Sequence, residues 1–117
     1  MKINYNENTL VFKSDTDADF IVINTEWRIV SFSISESYVA VCEDWKHLES
    51  DENTTIYDSK GNFLFKLDRA PKSLYELSGY YSVVSFKSEN ILIAQSADYR
   101  YEIDLDTRSF IKETFTK

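Results

Sequence analysis

Three groups of residues in this chain have types and spacings that chemistry could use. Asp15, Asp17 and Asp19, with Glu26 at the twelfth position of the same tract, follow the spacing of a calcium-binding loop. Such a loop gathers hard carboxylate oxygens around the ion. Its sixth position here is Phe20, where the sharp turn needs glycine, and Phe20–Ile23 reads as a strand. A solvated acidic turn is therefore the favoured reading. Cys42 and His47 are the one thiol and the one imidazole. A nucleophilic pair needs base and sulfur within hydrogen-bond reach and a third group to orient the base. Cys42 ends an expected strand and His47 falls five residues on in a connection, so nothing fixes that geometry. One Cys and one His also fall short of a structural zinc site. The pairs Asp104/Asp106 and Glu43/Asp44 are sequence neighbours in turns, whereas glycosidase-type acid–base work needs two carboxyls facing each other across a cleft. The chain has no glycine-rich phosphate cradle, no G-x-S-x-G and no H-E-x-x-H. The expectation is a protein that is not an enzyme, with no cofactor and no metal.

What remains is a binding surface. Residues 43–53 (EDWKHLESDEN) set Trp45 and His47 among carboxylates. A large apolar anchor with a charged rim is how interface hot spots and their steering fields are often built. The expected partner-binding residues are Asp44, Trp45, His47, Glu49, Asp51 and Glu52, with Tyr80 and Tyr81 as further contacts. The competing reading folds Trp45 back to cap a sheet. Arg28 and Arg100 are expected to pair with carboxylates across strands.

The chain has 117 residues, 20 acidic and 13 basic, for a formal charge of −7. With no basic stripe to release counterions, nucleic acid is excluded as a direct partner, and an anionic membrane surface is disfavoured. A basic protein partner would be steered toward it. No apolar run approaches the length of a spanning helix, and the N-terminal tract MKINYNENTLVF has no uninterrupted apolar core. With a single cysteine, these features lead us to expect a soluble, cytoplasmic protein.

These side chains must be positioned by strands. Eight Tyr and eight Phe, with only two Gly and one Pro, suit pleated half-buried surfaces. Alternation predicts ten strands at Leu10–Phe12, Phe20–Ile23, Trp27–Ser33, Tyr38–Cys42, Thr54–Tyr57, Asn62–Leu67, Tyr80–Phe86, Ile91–Gln95, Tyr99–Asp104 and Ser109–Phe115. Phe20-Ile21-Val22-Ile23 is apolar on both faces and is expected to be covered on both sides. Gly61 stands where the Asp58–Asn62 hairpin turn needs a positive φ. Ser73-Leu74-Tyr75-Glu76 has a capping-box pattern and predicts a short helix near 72–78, ended by Gly79.

A unit recurs along the chain. Residues 7–31 lie over residues 89–113 without a gap at an offset of 82, Leu10 meeting Leu92 and Asn24-Thr25 meeting Asp106-Thr107. A third copy opens at Glu36–Val41 and closes at Ile56–Ser59. The tract Ile56-Tyr57-Asp58-Ser59-Lys60-Gly61-Asn62-Phe63-Leu64-Phe65, with its counterpart around Asp104–Phe110, resembles the strand–turn–strand tracts of β-propeller blades of the WD-repeat and related kinds. Propellers usually have four to eight blades, and three modules (about 7–33, 36–67 and 80–115) are too few to close one. The expected architecture is therefore a single all-β domain over 1–117, an antiparallel meander in two packed, sandwich-like sheets. The leading function is an acidic inhibitor, resembling immunity proteins in charge and size, that masks a basic partner such as a nuclease toxin. The alternatives are a structural module that forms a homo-oligomer through edge strands, and a small-molecule binder or enzyme without a recognisable motif.

Overall fold

The computed structural model describes residues 1–13, 19–48, 50–72 and 78–116. Strands β1 (Lys2–Asn6), β2 (Thr9–Lys13) and β3 (Ile21–Asn24) form the first sheet, in that order. Strands β4 (Ile29–Ile34), β5 (Tyr38–Glu43), β6 (Thr54–Asp58) and β7 (Phe63–Lys66) form the second. Strands β8 (Val83–Phe86), β9 (Ile91–Ser96), β10 (Tyr99–Asp104) and β11 (Ser109–Phe115) form the third. All pairs are antiparallel neighbours. The all-β meander is as expected, but it builds three layers rather than two.

The reason lies in β5. Its sequence Tyr38-Val39-Ala40-Val41-Cys42 is apolar on both faces, and sheet 2 is covered on both. Val39 and Val41 join Leu10, Phe12, Ile23 and Ile29 in one buried cluster between sheets 1 and 2. Ala40 and Cys42 turn the other way, into a cluster with Ile56, Leu67, Tyr81, Leu92, Tyr101 and Ile103 between sheets 2 and 3. Fully burying a Leu or Ile in such a cluster contributes about 1.5–3 kcal/mol. The expectation that Phe20–Ile23 is covered on both sides is corrected. Ile23 is buried, but Phe20 and Val22 are exposed because β3 belongs to an outer layer. Strand β1 is additional to the ten expected; Lys2-Ile3-Asn4-Tyr5-Asn6 alternates polar and apolar residues, yet all five are exposed. The only helix among the described residues, α1 (Trp45–Leu48), lies in a stretch read as a loop, and the helix expected near 72–78 falls largely on residues outside those described.

The repeat is real, but its register differs from the offset of 82. The turns of the β1–β2 and β9–β10 hairpins start at Glu7 (φ 42°) and Ala97 (φ 48°), an offset of 90. Beyond β3, the Thr25 N–H and Oγ1 both donate to the Asn8 carbonyl, at 2.8 and 3.1 Å. Beyond β11, the Thr116 N–H and Oγ1 donate to the Asp98 carbonyl, at 2.7 and 2.9 Å. The third hairpin turns match as well. Gly61 (φ 85°) of the β6–β7 turn lies against Ile21 of β3, and Arg108 (φ 58°) of the β10–β11 turn lies over the Phe65 ring of β7 at 4.1 Å. So β1-β2-β3 corresponds to β5-β6-β7 and to β9-β10-β11. The stretch Trp27–Ser33, grouped by sequence with the first module, supplies the first strand of sheet 2 instead. A shift of eight residues preserves the two-residue period of strands, which is why the sequence alignment accepts the other register.

The first strands of sheets 2 and 3 lie side by side. The Val84 and Phe86 N–H groups donate to the Ser31 and Ser33 hydroxyls, both at 3.0 Å, and Ser35 Oγ donates to the Glu89 carbonyl at 2.7 Å. The partner numbers rise together, so β4 and β8 run parallel, joined by side-chain hydroxyls rather than by a backbone ladder.

Candidate functional site

One end of the layered sheets collects the long connections: the β3–β4 turn (residues 25–28), the β5–β6 connection (44–53) and the β7–β8 connection (67–82). The first is fixed by Thr25, whose Oγ1 also lies 2.7 Å from the Trp27 carbonyl, and by the Trp27 N–H, which donates to the nearly buried Glu43 carboxylate at 3.0 Å. The second starts at Asp44. Its N–H donates to the Arg28 carbonyl at 2.8 Å, and its Oδ1 accepts from the Lys46 N–H at 3.1 Å, capping α1. Arg28 reaches the other carboxylate oxygen at 3.5 Å, the cross-strand pairing expected for that arginine.

Asn53 holds the second connection to the third. Its Oδ1 accepts from the Tyr81 N–H at 2.9 Å, while its Nδ2 donates to the carbonyls of Glu43 and Tyr81, both at 2.8 Å. The Trp45 ring consequently lies flat on Tyr80, with centroids 4.1 Å apart and planes 15° from parallel. Two shallow hollows flank the Arg28–Asp44 pair. One, about 400 Å³, is lined by Glu7, Asn8, Glu26 and Trp27 along with the pair itself. The other, about 210 Å³, lies between Arg28, Val30, Trp45 and Tyr80. Both tryptophans of the chain thus stand at one rim.

The expected contact residues divide. Asp44, Trp45 and Tyr80 come together as described. Glu52 is exposed nearby, and His47 stands in α1. Asp51 is turned inward to a structural clasp, its Oδ2 accepting from Arg69 Nε at 2.8 Å and the Gly79 N–H at 3.3 Å. Tyr81 is fully buried, its hydroxyl donating to the Asp68 carbonyl at 2.7 Å, and burial pushes its phenol far up. It is therefore a core residue and presents no contact surface. Glu49 lies outside the described residues, as do Asp15 and Asp17 of the calcium-like tract. Cys42 is buried against the Tyr81 carbonyl, 2.9 Å from its sulfur, and burial pushes its thiol up to about 11. Among the described residues no group of acidic, His or Cys side chains could hold a metal ion, and no helix is long and apolar enough to cross a membrane.

Trp27, Glu7 and Glu26 belong to this end and were not among the expected contacts. The sequence signal for Trp27 is its position beside the Asn24-Thr25-Glu26 turn; it precedes β4 rather than forming the start of that strand. With Asp44 and Asp51 occupied by arginines and Glu43 by a backbone N–H, the exposed carboxylates of this end include, among the described residues, Glu7, Glu26, Glu52 and Asp68.

The chain is similar to the solved structure described as HIRA(644-1017), with a TM-score of 0.64 at 15% identity over 92% of this chain. It spans 30% of that chain's length. At this identity the likeness shows the fold alone, a succession of antiparallel sheets. No family model matches the chain, and no curated protein does.

Proposed function

We propose that this chain is a non-enzymatic protein-binding module that docks a basic partner on the end carrying Trp27, Trp45 and Tyr80. The observation that carries this reading is the convergence of both tryptophans, from separate connections, on either side of a paired Arg28 and Asp44. Aromatic rings held by neighbours lose little freedom on binding, and hot spots are enriched in them. The exposed Glu7, Glu26 and Glu52, on a chain of net charge −7, add attraction for a cationic surface. In its specific form the module is an inhibitor of the immunity type, covering the basic active site of a protein such as a nuclease toxin.

A tagged pull-down from the native host at low and high salt tests this reading, using wild type, Trp45→Ala, and Glu36→Lys in the β4–β5 turn at the opposite end. One basic protein recovered in stoichiometric amount by wild type and Glu36→Lys, but lost with Trp45→Ala and at high salt, would support it. Equal recovery by Trp45→Ala would remove this end from the mechanism. A second reading, self-association through edge strands, has the wholly exposed β1 in its favour. Light scattering showing only monomer at high concentration would remove it.

A further inference from the structure

Sheets 2 and 3 each begin with an inner strand, β4 or β8, set against the strand that follows it. In sheet 1 the counterpart of β5 and β9 is β1, and on the flank of β1 where those strands carry β4 and β8 no strand pairs with it among the described residues, which leaves that edge open. All five residues of β1 are exposed, including Ile3 and Tyr5 at 49% and 53%, and among the described residues it pairs with β2 alone. The β1–β2 hairpin closes through a two-residue turn with Asn6 opposite Thr9. Hydrogen-bonded pairs alternate from there, which turns the N–H and C=O groups of Ile3 and Tyr5 toward the open edge. Strand β1 is long enough to act as a template for a further strand.

We propose that this edge accepts one extended segment of a partner protein, antiparallel to β1 and parallel to β4 and β8, with a basic residue at its leading end and hydroxyl side chains at alternate positions. Three observations define that occupant. First, β1 runs antiparallel to β4: the Ile29 N–H donates to the Glu7 carbonyl at 2.6 Å, and Tyr5 meets Phe32 edge-on at 5.1 Å. A strand paired antiparallel to β1 therefore joins the parallel row begun by β4 and β8. Second, that row is joined by hydroxyls, as Ser31 and Ser33 of β4 accept from Val84 and Phe86 of β8. Phe32 and Ile34 pack toward sheet 1 as Val84 and Phe86 pack toward sheet 2, so an incoming strand meets the next step of the same row. Third, a strand in this direction enters at the turn bearing Glu7, beside the hollow lined by Glu26 and Trp27. Carboxylates at the entrance complement a basic residue ahead of the strand. The choice of a basic partner rests on the docking reading above; the open edge does not. A lone segment fits better than β1 of a second copy. That pairing would bring a whole second sheet under β4, which stands one strand further in than β1.

The chain contains a segment of the required pattern in its own β4, and a labelled synthetic peptide of residues 28–36 (RIVSFSISE) is the probe. The expected result is saturable one-to-one binding by fluorescence anisotropy, lost with a scrambled peptide. In the unaltered protein, amide exchange at Ile3 and Tyr5 should slow at least tenfold on binding. Tyr5→Pro, which removes one outward N–H, should abolish binding while Trp45→Ala leaves it intact. That pair separates failure of this proposal from failure of docking at the tryptophan end. Absence of binding, binding without protection of Ile3 and Tyr5, or equal binding by a folded Tyr5→Pro variant would each overturn the proposal.

Discussion

Replacing Asn53 by Ala should destabilise the fold by about 3 kcal/mol and disorder the aromatic rim with it. The side chain is 1% exposed and bonds three backbone groups: the Tyr81 N–H, the Tyr81 carbonyl and the Glu43 carbonyl. Each buried group left unpaired costs roughly 1–3 kcal/mol, and water entering the small space left by the amide recovers part of that. The sum is then about 2–4 kcal/mol, a large share of the roughly 5–15 kcal/mol expected for a domain. With a urea m-value of about 1.5 kcal/mol/M, the midpoint should fall by about 2 M. The same substitution frees the 80–81 segment, so the Trp45–Tyr80 stack should loosen and tryptophan emission change before unfolding begins. Glu52→Ala, on the exposed part of the same connection, should shift the midpoint by less than about 0.3 M. A loss below about 0.5 kcal/mol for Asn53→Ala, with emission unchanged, would refute the claim that this amide ties sheet 2 to the β7–β8 connection.

Gly61→Ala should cost about 1–2 kcal/mol by thermal or urea unfolding. Its φ of 85° is strained for any side chain, and the new Cβ would stand 2.7 Å from Ile21 Cγ2. The Cys42 thiol is held up at about 11 by burial, so its contribution to stability is full below about pH 9 and is withdrawn as pH rises toward 11, where the unfolded chain has already released its proton. Between pH 7 and 10 wild type should lose about 1 kcal/mol more than Cys42→Ala in parallel urea titrations. Removing the Tyr81 hydroxyl with Tyr81→Phe leaves the Asp68 carbonyl without that donor and should cost about 1 kcal/mol, with no change in partner capture. Reversing Glu26 and Glu52 to Lys should slow partner association several-fold at low salt and little at high salt, measured by stopped flow.

Most strands were legible because their alternation is strong. Leu92-Ile93-Ala94 and Tyr101-Glu102-Ile103 each turn alternate residues into a core. The layer count was not legible, since it depends on which apolar strand is covered twice. Val39–Cys42 and Phe20–Ile23 read alike in one dimension, and only the stacking of sheets tells them apart. Strand β1 was legible too, since Lys2-Ile3-Asn4-Tyr5-Asn6 alternates polar and apolar residues, although in the fold it buries none of them. In the candidate site, Trp45 and the acidic connection were visible as an anomaly of composition. Trp27 was not, because its neighbourhood to Trp45 arises from two connections meeting at one end. The serines at 31, 33, 35 and 37 were a readable signal that went unused: small hydroxyls at every second position can bond the exposed edge of a neighbouring strand.

Two separate apolar clusters sharing one middle layer make the cohesion of this molecule linear. Each outer sheet is attached through a single face, as repeats are in a stacked array, and can be lost without dismantling the layer beyond it. Among the described residues the cluster behind sheet 1 is the smaller, with six buried residues against twelve behind sheet 3. Unfolding should accordingly be stepwise: amides of β2 and β3 exchange through a cheaper partial opening, while those of β9 and β10 wait for global unfolding. A single melting temperature would then describe only the later event.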